Sequence, residues 1–426
     1  MPYVLGIDIG GTTTTAAISQ LSGGGFGAPE VVRLGARSHS VPSALHLAPD
    51  RALTVADPVP LDASRVARGF SRRVGDDVPL VVGGEPCPPQ ALTAVLAMWV
   101  VEQVQLQQGA PAERVVISHP AGWGGYRRGL LLRAIREIGL AGVSLLPEPV
   151  LVAESHRQHG WPGDTLAVYT LGGSDFETSL VGWAERAGFR LLGSAASVDP
   201  FGGTDVDEAL VNHVQAALGS EFRTLRRDGP QARLALFGLR RECARAKERL
   251  SAATETEVLV PLPYGQVEVP ISRTELEALI RPALQVTVDA LIGIVRSGGR
   301  GGDPPDRILL AGGAAQMPLV AELVAAGLPG SPIAVEPEPQ HTAATGAAVV
   351  AAKIATMRPA PELPAGSASG PPAGRPPNPD PDPPEQVADG TLGEEPPPRP
   401  PVKITPLKLP RARAGQRRLG LVGVRL

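Results

Sequence analysis

"YTLGGSDFET", Tyr169 to Thr178, repeats in mid-chain a layout already present at the start. The opening run "GIDIGGTTTT", Gly6 to Thr15, has the same apolar strand, Gly-Gly turn and polar strand, with its carboxylate, Asp8, ahead of the glycines. In the second run the acid, Asp175, follows them. Two half-chains that each open on strand, Gly-Gly and strand predict duplicated lobes with a cleft between them. A glycine pair lets the backbone approach an anion and turn its N–H groups toward it, because no Cβ intervenes. Thr12 and Thr13 add hydroxyl donors, and Asp8 at a strand end is placed to hold Mg²⁺ through water beside a polyphosphate. One such loop alone reads as an ordinary polar hairpin; a second shifts the reading to a phosphate cleft.

Outward from these runs, strand-like and helix-like periods alternate up to about Met357, the pattern of an α/β fold. "YVLGIDI" and "TTTAAIS" read as strands joined by Gly10-Gly11, "ASRVARGFSRRVG" as a helical stretch, and Gln90 to Gln108 as a longer helix. "RVVISHP" and "VSLLPEP" read as strands, and "GGYRRGLLLRAIREIGL" and "VLVAESHRQHG" as helices, before the pattern restarts at "TLAVYTLGG". Residues 358–401 are dense in Pro, Gly and acid, too poor in apolar groups to fold, and read as a disordered Pro-rich linker. Residues 402–426 form a basic tail without a single acid, a candidate for binding an acidic protein partner.

Of the 426 residues, 40 are Lys or Arg and 43 Asp or Glu, so no global field points to nucleic acid or an anionic membrane. Cys87 and Cys243 are isolated and match no metal spacing, which suits a reducing compartment. No basic leader precedes the first strand, and no later stretch reads as long enough to cross a bilayer, so the expected location is cytoplasmic. His119, before Pro120, reads as local structure rather than a base. His156 and His159 stand at i and i+3 on an expected helix with no matching ligand pair, which predicts a surface role.

In order and rough spacing, "GIDIGGTTTT", "ISHPAGWGGYRRGLLLRAIREIGLAGVSLLPEPVLVAES", "VYTLGGSDFETSLV", "DPFGGTDVDEALVNHV", "LRRECARAKERLS", "ILLAGGAAQMPLVAELV" and "TAATGAAVVAA" resemble the nucleotide-binding domain of the DnaK-type heat-shock chaperone family, over about residues 3–356. The resemblance implies an actin-like ATPase fold: two lobes, each on a ribonuclease-H-like sheet, about 1–160 and 161–357, clamping Mg·ATP or ADP. It assigns Gly10, Gly11, Thr12 and Thr13 to the first phosphate loop and Gly172, Gly173 and Ser174 to the second. Glu148 matches the glutamate of the family's "NEP" segment near Mg²⁺ and the attacking water. Gly202 and Gly203 match the glycine loop onto the nucleotide, Lys247 a lysine of the adenosine pocket, and Gly312 and Gly313 the glycines against which the nucleoside packs.

Several family positions are changed. Ser71 stands where a lysine is expected, with Arg72 and Arg73 next to it, and Gln316 where the adenine-facing arginine is expected. Ala244 and Glu248 flank Lys247 in place of the family's acid and base. The family's "DLGGGT" becomes "TLGGSD", so Thr170 and Asp175 have exchanged places. A two-residue Gly172-Gly173 turn predicts Thr170 directly opposite Asp175, making Asp175 a catalytic candidate and a second Mg²⁺ candidate beside Asp8. The resulting expectation is an ATP-binding, chaperone-like switch with slow Mg-dependent hydrolysis and without the family's β-rich peptide-binding domain. The alternative is a non-catalytic nucleotide sensor or scaffold. A sugar kinase of the same superfamily is disfavoured by the run from Ile117 to Glu154.

Overall fold

Strand β1 (Tyr3–Ile9) is buried from Tyr3 to Ile7, the pattern of a central strand covered on both faces. The computed structural model describes residues 1–57, 63–185, 188–196, 201–219, 230–262, 265–298, 304–357 and 424–425. β2 (Thr13–Ser22) returns antiparallel to β1. The expected helical stretch around residues 63–75 is instead a single 3₁₀ turn, Ala63–Arg65, a short strand, Val66–Arg68, and turns. That strand pairs with Ala44–Leu47, so tertiary pairing overrides local pattern there. Helix α1 (Pro89–Gln108) begins with Pro at its first turn and ends on Gly109 at φ 74°, whose N–H caps Gln105 O. β3 (Val115–His119), α2 (Gly125–Glu137), β4 (Val143–Pro147) and α3 (Glu148–Gln158) follow.

The chain then runs through β5 (Thr165–Leu171), β6 (Phe176–Ala184) and β7 (Gly188–Ala196). It continues through α4 (Gly203–Leu218), α5 (Pro230–Ala252), the hairpin of β8 (Glu255–Leu262) and β9 (Gly265–Ser272), and α6 (Arg273–Gly298). β10 (Arg307–Ala311), α7 (Pro318–Gly327), β11 (Ile333–Val335) and α8 (Thr342–Thr356) close the described body.

The two main sheets repeat one topology. The first runs β4–β3–β1–β2, with short strands beyond β2; the second runs β11–β10–β5–β6–β7. In each, the opening strand is antiparallel to its hairpin partner and parallel to a strand reached by a long crossover. Both glycine turns therefore lie at equivalent ends of their sheets. Tyr3, Leu5, Ile7, Ile117 and Leu131 lie in the first core, and Tyr169, Leu210, Leu239, Leu284 and Leu310 in the second.

α8 closes the 161–357 span yet packs on β1 and β2 of the first sheet and against α3. The approach is backbone to backbone: a Cβ on Gly6 would lie 2.2 Å from Ala348 N, and one on Gly346 1.8 Å from Leu151 O. Only glycine permits these crossings. α6 corrects one expectation, since Arg273–Ser297 is long enough, with a mean hydropathy of 1.6, to cross a membrane by length and composition. Its Leu276, Ile280, Leu284, Val288 and Leu291 are buried in the second core, whereas Arg281, Gln285 and Asp289 are exposed. Most of the linker and basic tail lie outside the described residues; Val424–Arg425 pairs antiparallel with Ala52–Leu53.

Candidate functional site

The first turn spans four residues. Ile9 pairs with Thr14 and Asp8 with Thr15, while Gly10 N–H donates to Thr13 O at 3.0 Å. The Asp8 carboxylate accepts a hydrogen bond from Ser118 on β3. Burial raises the Asp8 pKa, and the Ser118 bond partly opposes this.

The second turn has the same length, which corrects the expected pairing of Thr170 with Asp175. Leu171 pairs with Phe176 and Thr170 with Glu177, and Gly172 N–H donates to Asp175 O at 2.7 Å. Tertiary partners hold this wider turn. Gly203 N–H donates to Gly172 O at 2.9 Å and Thr204 N–H to Gly173 O at 2.6 Å, both from the N-terminus of α4. Arg72 Nη1 donates to Ser174 O at 2.6 Å. Asp8 and Thr15 in the first hairpin thus correspond to Thr170 and Glu177 in the second, with acid and hydroxyl traded between strands. The residue reasoning from sequence missed is Glu177. Its signal was present: Glu177 lies five residues beyond Gly172, as Thr15 lies five beyond Gly10.

Glu177 also joins the lobes. Its carboxylate accepts from Ala121 N–H at 3.0 Å and Gly122 N–H at 3.2 Å, in the segment after β3. Burial raises its pKa against these bonds and the nearby Arg72. Glu148 opens α3, where the helix dipole favours an anion. Its pKa nonetheless lies well above the usual range, first through burial and then through repulsion from Asp8 and Glu177, with Arg72 opposing. Asp8 and Glu148 line one small space, and two neighbouring carboxylates that repel each other there could hold a divalent cation, whose charge would relieve the repulsion.

Asp175 serves a different partner. Arg72 Nε donates to its Oδ2 at 2.9 Å. Arg73 turns away to Asp76 at 3.0 Å and Val78 O at 2.8 Å, and Ser71 Oγ reaches only Gly10 O at 3.4 Å. Among the described residues, Arg72 is therefore the basic side chain that lines this end of the cleft. Burial lowers its pKa while Asp205, Glu177 and Glu148 raise it.

The glycine turns meet tip to tip. A Cβ on Gly11 would lie 2.0 Å from Ser174 Oγ, and one on Gly173 2.2 Å from Thr12 Oγ1. Among the described residues Ser174 Oγ is buried with no hydrogen-bond partner, a donor aimed between the turns. The space beneath, lined by Asp8, Gly11, Arg72, Ser118, Glu148 and Asp175, is about 30 Å³. A phosphate chain enters between the turns only if they separate. A larger hollow of about 570 Å³ lies on the β8–β9 hairpin, away from these groups.

The nucleoside-side candidates gather beside the second turn. A Cβ on Gly202 would lie 2.6 Å from Asp175 N, and one on Gly203 3.0 Å from Lys247 Nζ. Lys247 Nζ donates to Gly203 O at 3.0 Å and pairs with Asp207 at 2.8 Å. Gly312, at φ 84°, passes so close to Leu171 O that a Cβ would lie 2.4 Å from it. Among the described residues nothing approaches the Cβ position of Gly313 within 4 Å. Gln316 is exposed and turned to Gln340 at 3.3 Å. His119 Nδ1 lies 2.8 Å from Pro120 O and its ring stacks on Trp123, with burial lowering its pKa. His156 departs from its expected surface role: it is buried, 2.5 Å from Glu336.

Two comparisons bear on this geometry. The family described as Hsp70 protein matches residues 64–359. A relative, the chaperone protein DnaK of Elusimicrobium minutum (strain Pei191), is 26% identical over 363 residues, covering 82% of this chain and 58% of its own length. The chain thus spans somewhat over half the length of that curated relative. With the duplicated sheets, these similarities identify the fold as that of the actin-like ATPases.

Proposed function

The chain belongs to the Hsp70 family, and on that premise we propose that it is a chaperone-type nucleotide switch that binds Mg·ATP between its two glycine turns and hydrolyses it slowly. One observation carries this reading: the turns meet tip to tip beside a small space lined by Asp8 and Glu148, whose carboxylates and that of Glu177 repel one another. Gly10 to Thr13 and Gly172 to Ser174 supply backbone N–H and hydroxyl donors for the phosphates. Mg²⁺, when bound, neutralises phosphate charge and orients the chain. Glu148 accepts a proton-side hydrogen bond from the attacking water at a carboxylate oxygen and so orients it. Arg72 replaces the missing lysine as the cation facing charge that develops on the transferred group. Lys247, Gly203, Gly312 and Gly313 line the nucleoside side, and Gln316 makes adenine contact weaker than an arginine would.

Separation of the turns to admit nucleotide, and their return, alters the outer surfaces of lobes divided near residue 160, which is how the site would address a protein partner. The buried, unpaired thiols of Cys87 and Cys243 support a reducing, cytoplasmic setting. A second reading, a non-catalytic sensor, is favoured by the Arg72–Asp175 pair, which already occupies the guanidinium beside the second turn. Calorimetric titration with ATP and ADP, with and without Mg²⁺, combined with a turnover assay, tests both. Mg-dependent binding with turnover supports the switch; binding without turnover selects the sensor; binding of neither nucleotide refutes both.

A further inference from the structure

At the far end of α3 from Glu148, three metal-ligating side chains converge that the nucleotide cleft does not use. We propose that His156, His159 and Glu336 form a zinc site. The two imidazole Nδ1 atoms face one carboxylate, His156 at 2.5 Å from Oε1 and His159 at 3.6 Å from Oε2. One ligand atom from each residue lies within 4.8 Å of the others. Tetrahedral Zn²⁺ with bonds of about 2.0–2.1 Å holds its donors about 3.3 Å apart, so closure needs shifts of about an ångström. Two imidazoles and one carboxylate with a fourth position open to water make a donor set that suits zinc.

The three residues are unequally exposed, as a loadable site requires. The side chains of His156 and Glu336 are 8% and 3% exposed, so backbone and packing hold them, whereas His159 is 56% exposed and forms the entrance. Glu336 directly follows β11, and the His156 ring packs against Trp161 with centroids 5.5 Å apart. A metal here joins the end of α3 to the end of β11 and stiffens the helix that presents Glu148.

Arg307 opposes loading. Its Nη1 lies 3.2 Å from His156 Nε2, so in the metal-free protein His156 accepts from Arg307 at Nε2 and donates its Nδ1 proton to Glu336. When Nδ1 takes the metal, the ring proton moves to Nε2 with no net release. The new N–H then faces the guanidinium, which must turn away. Removing Arg307 therefore strengthens metal binding, an effect a merely structural histidine cluster does not produce.

The full chain, stripped with chelator, is titrated with Zn²⁺ by calorimetry and with Co²⁺ by visible d–d absorption. The expected result is one metal per chain, a tetrahedral-type Co²⁺ spectrum, and a Zn²⁺-dependent rise in melting temperature. His159→Ala, at an exposed position that leaves the core intact, should weaken binding by at least about tenfold and remove the thermal shift. Glu336→Gln should weaken it likewise, and Arg307→Ala should tighten it. No binding, binding unchanged in His159→Ala, or weaker binding in Arg307→Ala overturns the proposal. None of these readouts depends on nucleotide or turnover, so they stand apart from the function proposed above.

Discussion

Replacing Asp175 with Asn and Glu177 with Gln separates two carboxylates that lie two residues apart and serve different partners. Asp175 is the counter-ion of Arg72 at 2.9 Å, whereas Glu177 bridges to Ala121 and Gly122 and raises the Glu148 pKa. Opposite charges about 4 Å apart interact by about 4 kcal/mol at an effective dielectric near 20. The Arg72 and Asp175 side chains are 29% and 31% exposed, so solvent screening reduces the net value to about 1 kcal/mol. A double-mutant cycle on Arg72→Ala and Asp175→Asn, read by urea denaturation without nucleotide, should return a coupling of about that size that shrinks with added salt. The effect on turnover should be opposite in rank. Loss of one preorganised charge from a reacting site costs about 10²–10³ in rate, so Glu177→Gln should lower Mg-dependent ATP turnover by about that factor. Asp175→Asn should stay within about threefold of the parent, because it frees the Arg72 guanidinium without removing it. Full turnover in Glu177→Gln together with its loss in Asp175→Asn would refute the four-residue register as the basis of the site.

Gly346→Ala places a Cβ 1.8 Å from Leu151 O at the α3–α8 crossing and should cost about 3 kcal/mol or more in denaturation. Cys243, its thiol pushed up to about 12 by burial and then by Asp207, Glu208 and Glu242, should resist thiol reagents at pH 8 until the chain is unfolded. Asp306 accepts the Thr165 and Asp164 N–H groups at 2.8 and 2.9 Å, and these bonds, led by that of Thr165, lower its pKa. A depressed folded-state pKa contributes stability above the usual carboxylate value of 3.8 and loses it as pH falls through the folded value. Asp306→Asn should therefore flatten the acid limb of the stability curve between those two values, measured by urea denaturation across pH 2–5.

Local pattern was enough to reveal the duplication. Gly10-Gly11 and Gly172-Gly173 between apolar and polar strands, and Pro89 ahead of a long apolar period, are signals carried by neighbouring residues. Backbone conformation and side-chain periodicity decide such features, and both are written in short stretches. What sequence alone left wrong depended on distant partners. The width of the second turn was set by Arg72 and by the α4 N-terminus, which claim its carbonyls, and that width moved the opposing acid from Asp175 to Glu177. The choice of Arg72 over Arg73 came from a carboxylate 103 residues away. His156 went from surface to interior because Glu336, 180 residues on, meets it in the folded chain. Residue spacing proposed a phosphate cleft on two glycine turns; only tertiary contacts, whose geometry no local period encodes, decided which charges face it.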